Sequence, residues 1–204
     1  MAALDKFVSL DLFGSATVLR MNDVELVSEL LTLLSQGYSE KKEAVDRIFK
    51  ADVTGEQADE LRNNFKTVVD VLTDFDSISP LKKTRFKQRA DLYTLFDFIW
   101  SNRKITSKGF ESCYKIMLAI APHIRPTQEH CDPLRDYARN CVSQSNSKTA
   151  RMERSAFFNA LMRNPKHTPN DTQKAVADFL KIGSDLCEIE GAWAIDIAPI
   201  EEGQ

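Results

Sequence analysis

Residues 54–75 read TGEQADELRNNFKTVVDVLTDF, and this stretch decides the fold class. Thr54 and Gln57 form a capping box, in which the threonine hydroxyl accepts from a first-turn N–H and Gln57 reaches back to the backbone. Apolar side chains then recur in steps of three and four residues, at Ala58, Leu61, Phe65, Val68, Leu72 and Phe75. This spacing predicts a long helix that lies nearly antiparallel to a neighbouring helix.

Helical spacing continues on both sides of this stretch. Residues 19–36 are apolar over most of the circumference, which predicts a central helix that ends at Gly37. A shorter helix is predicted around 44–49, and an aromatic-rich helix is predicted from Arg85 to about Ser101. Further helices are predicted at 110–121, 132–142 (with Asp132 as N-cap), 152–164 and 168–186.

The chain is therefore expected to be all-α, a bundle of about seven to nine helices. Residues 192–197 lack helical spacing and precede a proline, which predicts a short extended C-terminal tail. The stretch 122–131 contains two prolines, and we predict the boundary between two lobes there. We expect a helical lobe at 1–124, a smaller helical lobe at 125–190 and the tail at 191–204.

Composition limits the class of protein. The chain has 204 residues and a formal net charge of -3, which argues against a strongly basic nucleic-acid-binding protein. It has neither a leading export signal nor an apolar run of roughly 18 residues, so no membrane association is expected. Four cysteines without a paired motif are expected to be free thiols in a reducing cytoplasm; they are Cys113, Cys131, Cys141 and Cys187.

Residues with catalytic chemistry do not form a familiar motif. His123, His130 and His167 fall in predicted loops or beside helix starts, and His130-Cys131 with Cys141 matches no standard zinc spacing. A carboxylate site from Asp23, Glu25 and Asp91 is an alternative, but these residues also lack a typical metal-ligand spacing. We therefore predict no catalytic residue, no metal and no cofactor.

Two charged elements are candidates for binding or structure. The first holds five cations, which could contact phosphates or form a solvated helix start; they are Lys82, Lys83, Arg85, Lys87 and Arg89. The second opens the central helix and could clamp it to the aromatic helix through a polar network of Arg20, Asp23, Glu25 and Asp91. A functional pocket and independent surface charges are the alternatives for this second element.

Both elements also carry a resemblance to a known family. The segments 13–27 (FGSATVLRMNDVELV) and 84–96 (TRFKQRADLYTLF) resemble the helical C-terminal half of the GmrSD-type family. That family is similar to ParB/sulfiredoxin-like nucleases and occurs in prokaryotic modification-dependent restriction enzymes and anti-phage systems. The similarity covers roughly 4–124.

The resemblance implies a module without its own chemistry. The family's catalytic lobe carries an Asp-Gly-Gln-Gln-Arg-like motif that is absent here, so no catalytic residue carries over. We expect a non-catalytic helical module that docks a ParB-like catalytic lobe or subunit, with DNA as a further partner. The expected docking residues are Phe7, Leu10, Leu12 and Phe13. The alternative is a stand-alone helical nucleic-acid-binding protein that uses the stretch from Lys82 to Arg89.

Overall fold

A computed structural model describes residues 2–12, 22–40, 46 and 54–201 of the chain. These residues form nine α-helices and one two-stranded sheet, which confirms the all-α fold class with an extended segment near the C-terminus. The helix predicted around 44–49 lies outside the described residues, apart from Asp46. Phe13 and Arg20 lie outside them as well.

The chain divides into two compact units. Unit 1 comprises residues 1–104 and 146–151, and unit 2 comprises residues 105–145 and 152–204. Residues 105–124, which the sequence analysis placed in the first lobe, lie in unit 2. The apolar face of their helix packs there, and part of it contacts the first strand of the sheet.

Unit 1 is built around the helix that the opening stretch predicts. It contains α1 (Ala3–Ser9), α2 (Asn22–Gln36), α3 (Gly55–Ile78) and α4 (Arg89–Ser101). Thr54 and Gln57 form the expected capping box of α3, and α1, α2 and α4 all pack on this helix. The ring of Phe65 lies 5.6 Å from that of Phe7 and 5.7 Å from that of Phe96, so aromatic contacts join three helices.

The aromatic helix begins four residues later than predicted. Two short 3-10 turns, Leu81–Lys83 and Arg85–Lys87, precede α4. The Thr84 hydroxyl accepts a hydrogen bond from the Phe86 backbone N–H at 3.1 Å, and this local bond starts the second turn. Every residue from 91 to 99 is buried, so α4 is the core helix of unit 1.

Unit 2 contains α5 (Ser107–Ile120), α6 (Asp132–Val142), α8 (Asp171–Leu180), the short α9 (Ala198–Glu201) and most of α7 (Lys148–Met162). A third 3-10 turn, Ala121–His123, follows α5. The N-cap of α6 is Cys131 rather than the predicted Asp132, which lies in the first turn, where a carboxylate favours the helix dipole.

A β-hairpin replaces the end of the last predicted helix and the start of the predicted tail. Strand β1 (Leu186–Ile189) pairs antiparallel with β2 (Ala192–Ile195), and Glu190 and Gly191 both have positive φ in the two-residue turn. The Glu190 carboxylate accepts hydrogen bonds from the backbone N–H and the hydroxyl of Thr106, the N-cap of α5. The hairpin tip is thereby fixed to the start of α5.

Candidate functional site

A buried charge network lies at the centre of unit 1. Glu29 on α2 is 1% exposed, and its Oε1 accepts from Arg89 Nη2 at 2.6 Å while its Oε2 accepts from Arg151 Nη2 at 2.5 Å. Arg151 also donates to the Ser39 carbonyl at 3.1 Å, and its guanidinium lies 4.2 Å from the centre of the Tyr93 ring. One carboxylate thus holds two arginines in a water-poor interior, where charge-assisted hydrogen bonds are strong.

The surroundings of this network are also polar and buried. Burial raises the pKa of Tyr93 to about 12, so its hydroxyl stays neutral beside the Arg151 guanidinium. Tyr38 donates its hydroxyl hydrogen to Asp97 Oδ2 at 2.6 Å, which ties the segment after α2 to α4. The contacts connect helices rather than line an open chamber, so their first effect is to fix α2 against α4.

The predicted polar network is assembled only in part. Arg89 Nη1 donates to Glu25 Oε2 at 3.5 Å, as part of the link between α2 and α4. The fully buried Asp91 pairs instead with Arg85, through bonds of 2.8 Å and 3.1 Å. Asp23 lies away from these arginine pairs, in a cleft described below. Sequence reasoning missed Glu29 and Arg151; a signal for Glu29 was its position four residues after Glu25, on the same helix face.

The five predicted cations do not form one free basic surface. Arg85 and Arg89 are bound to buried carboxylates, and Lys82 Nζ pairs with Asp11 Oδ2 at 3.0 Å. Of these five cations, Lys83 and Lys87 are the two that are exposed and have no ion pair among the described residues. The capacity of this stretch to bind phosphates is correspondingly smaller than the sequence alone indicates.

An apolar cleft opens between α1 and α2. Its volume is about 450 Å³, and among the described residues its walls are Leu4, Phe7, Val8, Asp11, Asp23, Val24, Val27 and Ser28. Leu4, Val8 and Val24 are 51%, 59% and 40% exposed. These exposed apolar side chains make the cleft a candidate for contact with another molecule.

The predicted docking residues that the structure describes are largely buried within unit 1. Phe7 and Leu10 are 0% and 4% exposed, because α1 turns their side of the helix toward α3, so neither is a free docking side chain. Leu12 is half-buried. The exposed apolar side chains of the same segment are Leu4 and Val8 of α1.

Unit 2 contains two buried or half-buried titratable side chains of interest, His123 and Cys113. His123 stands edge-on to Phe179 at 5.4 Å, and burial, with the Arg125 charge, lowers the pKa of its imidazole. The Cys113 thiol has its pKa raised to about 12 by burial, so it is not an activated nucleophile. Within the described residues, no three or more His, Cys, Asp or Glu side chains form a group that could hold a metal, and neither His130, Cys131 and Cys141 nor Asp23, Glu25 and Asp91 form one.

The fold and site together define an all-α protein in which a buried charge network and an apolar cleft share helix α2. In the part of the chain that the structure describes, no helix is both long and apolar enough to cross a membrane. Comparison of the chain with protein-family models, curated proteins and solved structures gives no match.

Proposed function

We propose that this chain is a non-catalytic helical module of a GmrSD-like restriction or anti-phage protein. In this proposal it docks a ParB/sulfiredoxin-like catalytic lobe through the cleft between α1 and α2. The observation that carries the proposal is the exposure of Leu4, Val8 and Val24 on the walls of a cleft of about 450 Å³. Burying apolar surface on a partner stabilises a complex by about 25 cal/mol for each Å² removed from water.

The location of the cleft also supports this proposal. Its α2 wall begins at Asp23 and includes Val24 and Val27, which belong to the segment that resembles the GmrSD-type family. The charge network on Glu29 fixes the same helix, so the α2 wall is held in place before a partner arrives. A prearranged surface loses less conformational freedom on binding and therefore binds more tightly.

The experiment is an isothermal titration calorimetry measurement, in which this chain is titrated with the catalytic lobe of a GmrSD-type protein encoded beside it. We expect saturable binding that is lost in a Val8→Asp/Val24→Asp double variant, because two carboxylates would then enter an apolar interface. Val142→Asp is the matched control, since Val142 is 70% exposed in unit 2 and should leave binding unchanged. Absence of binding by the parent chain, or equal binding by the double variant, would contradict the proposal.

A second candidate function is nucleic-acid binding through the exposed lysines near α4. The supporting observation is that Lys83 and Lys87 project into solvent close to Lys82. Replacing all three lysines with glutamine should weaken binding to duplex DNA and reduce its salt dependence, measured by fluorescence anisotropy. Arg85 is left in place because it pairs with the buried Asp91, so its loss would disturb folding. Unchanged affinity in the triple variant would exclude this function.

A further inference from the structure

We infer that the cleft between α1 and α2 receives an amphipathic helix whose apolar face is flanked by lysine or arginine. The inference rests on the proposed function in assigning the cleft to docking, and it adds the chemistry of the docking segment. The shape of the cleft favours a helix, and the carboxylates on its lining favour a basic flank on that helix.

Two apolar ridges form the walls of the cleft. Leu4 and Val8 are four residues apart on α1, and Val24 and Val27 are three apart on α2, so each pair lies along one side of its helix. Ridges with these spacings pack against the ridge of another helix. A cavity of about 150 Å³ holds a benzene-sized group, so a cleft of about 450 Å³ has room for about three such side chains.

The charged atoms at the cleft are negative. Asp11 and Asp23 are the only charged residues among the described lining residues, and the Asp11 side chain is 68% exposed. Asp23 Oδ1 is buried and accepts no hydrogen bond. Among the described residues, Lys6 pairs with Asp70, and Lys82, outside the lining, pairs with Asp11 at 3.0 Å; the two carboxylates and this one ammonium group leave a net negative charge at the cleft.

These carboxylates favour a partner that brings hydrogen-bond donors. Asp11 and Asp23 put negative charge on the lining of the cleft, so a Lys or Arg side chain beside an apolar anchor is favoured by charge complementarity. An acidic helix would add like charges at the same place and would be disfavoured. A purely apolar segment would fill the cleft without this electrostatic attraction.

The test uses two synthetic helical peptides and the full chain. Both peptides are about 18 residues long, because shorter isolated helices are marginal in water, and they share one leucine stripe. One carries lysines and the other glutamates beside the stripe. Binding is measured by fluorescence anisotropy, and the binding surface is located by amide chemical-shift changes. We expect the lysine peptide to bind about tenfold more tightly at low salt, with shifts at Val8, Asp23 and Val24.

Salt and carboxylate variants separate charge from apolar packing. The preference should shrink as the screening length falls from about 10 Å at 0.1 M salt to about 3 Å at 1 M. An Asp11→Asn/Asp23→Asn variant should bind both peptides alike. Asp171→Asn is the matched control, because Asp171 also lies in the first turn of a helix and is fully exposed; it should keep the preference.

The inference would be overturned by equal affinity of the parent chain for both peptides, or by shifts away from the cleft with either peptide. Failure of both peptides to bind would overturn it as well. If the catalytic lobe binds and Val8→Asp/Val24→Asp abolishes that binding while the peptides show no preference, the proposed function stands and only the inference fails. If the lysine peptide is preferred at the cleft but the catalytic lobe does not bind, the partner is wrong and the surface chemistry stands.

Discussion

Replacing Glu29 with glutamine is the sharpest test of the buried charge network. The side chain keeps its size but loses its charge, and one of its two acceptor oxygens becomes an NH2 donor. That donor would face either Arg89 or Arg151, which now bind Glu29 at 2.6 Å and 2.5 Å. Arg151 has 1% of its side chain exposed, so its positive charge cannot turn to water.

The magnitude follows from the burial of the three side chains. Removing one partner of a buried ion pair costs about 3–5 kcal/mol, because the remaining charge stays buried. Arg89 is 26% exposed and keeps Glu25 as a partner, which places the expected loss near the lower value, about 3 kcal/mol. For a chain of this length each kcal/mol shifts the melting temperature by about 2–4 °C, so the shift should be about 6–12 °C.

The assay is unfolding in urea at neutral pH, with circular dichroism as the signal. Glu60→Gln is the matched control, since Glu60 is exposed on α3 and its replacement should change the free energy of unfolding by less than about 0.5 kcal/mol. An Arg151→Met/Glu29→Gln double variant should lose less stability than the sum of the single variants, because both changes break the same contact. A loss below about 1 kcal/mol in Glu29→Gln would refute the reasoning.

Three further predictions concern unit 2. Arg154 is 1% exposed and donates to the Asn140 carbonyl at 2.6 Å, so Arg154→Met should lower the free energy of unfolding by about 2–3 kcal/mol in urea. Burial lowers the pKa of His123, so its protonation opposes folding: stability is full above about pH 6.5 and falls as the pH drops below it. The melting temperature of His123→Gln should therefore fall less than that of the parent between about pH 7 and about pH 5.5, and an equal fall would contradict this. Hydrogen bonds from Thr106 lower the pKa of the Glu190 carboxyl, so Thr106→Val should raise that pKa in a carboxyl NMR titration, and no rise would count against the hairpin anchor.

The helices of the core could be predicted because their pattern is local. The three-and-four spacing of α3 and its capping box depend on residues within one or two turns, and the structure has Phe65, Val68, Leu72 and Phe75 buried as that spacing requires. The start of α4 was missed for a related reason. Phe86 fits the helical spacing, but the Thr84 hydroxyl bonds its N–H and begins a 3-10 turn instead.

The candidate site could be predicted only in part. The charge pattern at the start of α2 predicted a polar link to the aromatic helix, and Glu25 and Arg89 form one across 64 residues. The bond between Glu29 and Arg151 spans 122 residues, and nothing in the local pattern of either residue indicates the other. The hairpin was missed because its register and its anchor to Thr106 are tertiary, with Glu190 and Thr106 separated by 84 residues.

The docking residues show a different limit of sequence reasoning. α1 has only seven residues and carries apolar side chains on two sides, so its composition predicts some apolar burial but does not say which side is covered. Packing against α3 determines which side of α1 is covered, because the ring of Phe65 contacts that of Phe7. Leu4 and Val8 are left outside, where the sequence alone gave no reason to choose them over Phe7.

The charge network and the cleft share helix α2. The network therefore helps to hold one wall of the cleft in place. At about 100° per residue, Glu25 and Glu29 lie about 40° apart on one side of the helix, Val27 lies about 160° from each of them, and Val24 lies about 100° from Glu25 and about 140° from Glu29. The arginines therefore hold one side of α2 and leave the other free to form the cleft wall. Glu29→Gln should therefore weaken docking only by destabilising the position of α2, because it leaves the contact surface unchanged. Cooling well below the melting temperature of the variant should restore binding. Val24→Asp changes the contact itself, so its binding defect should remain at every temperature at which the protein is folded.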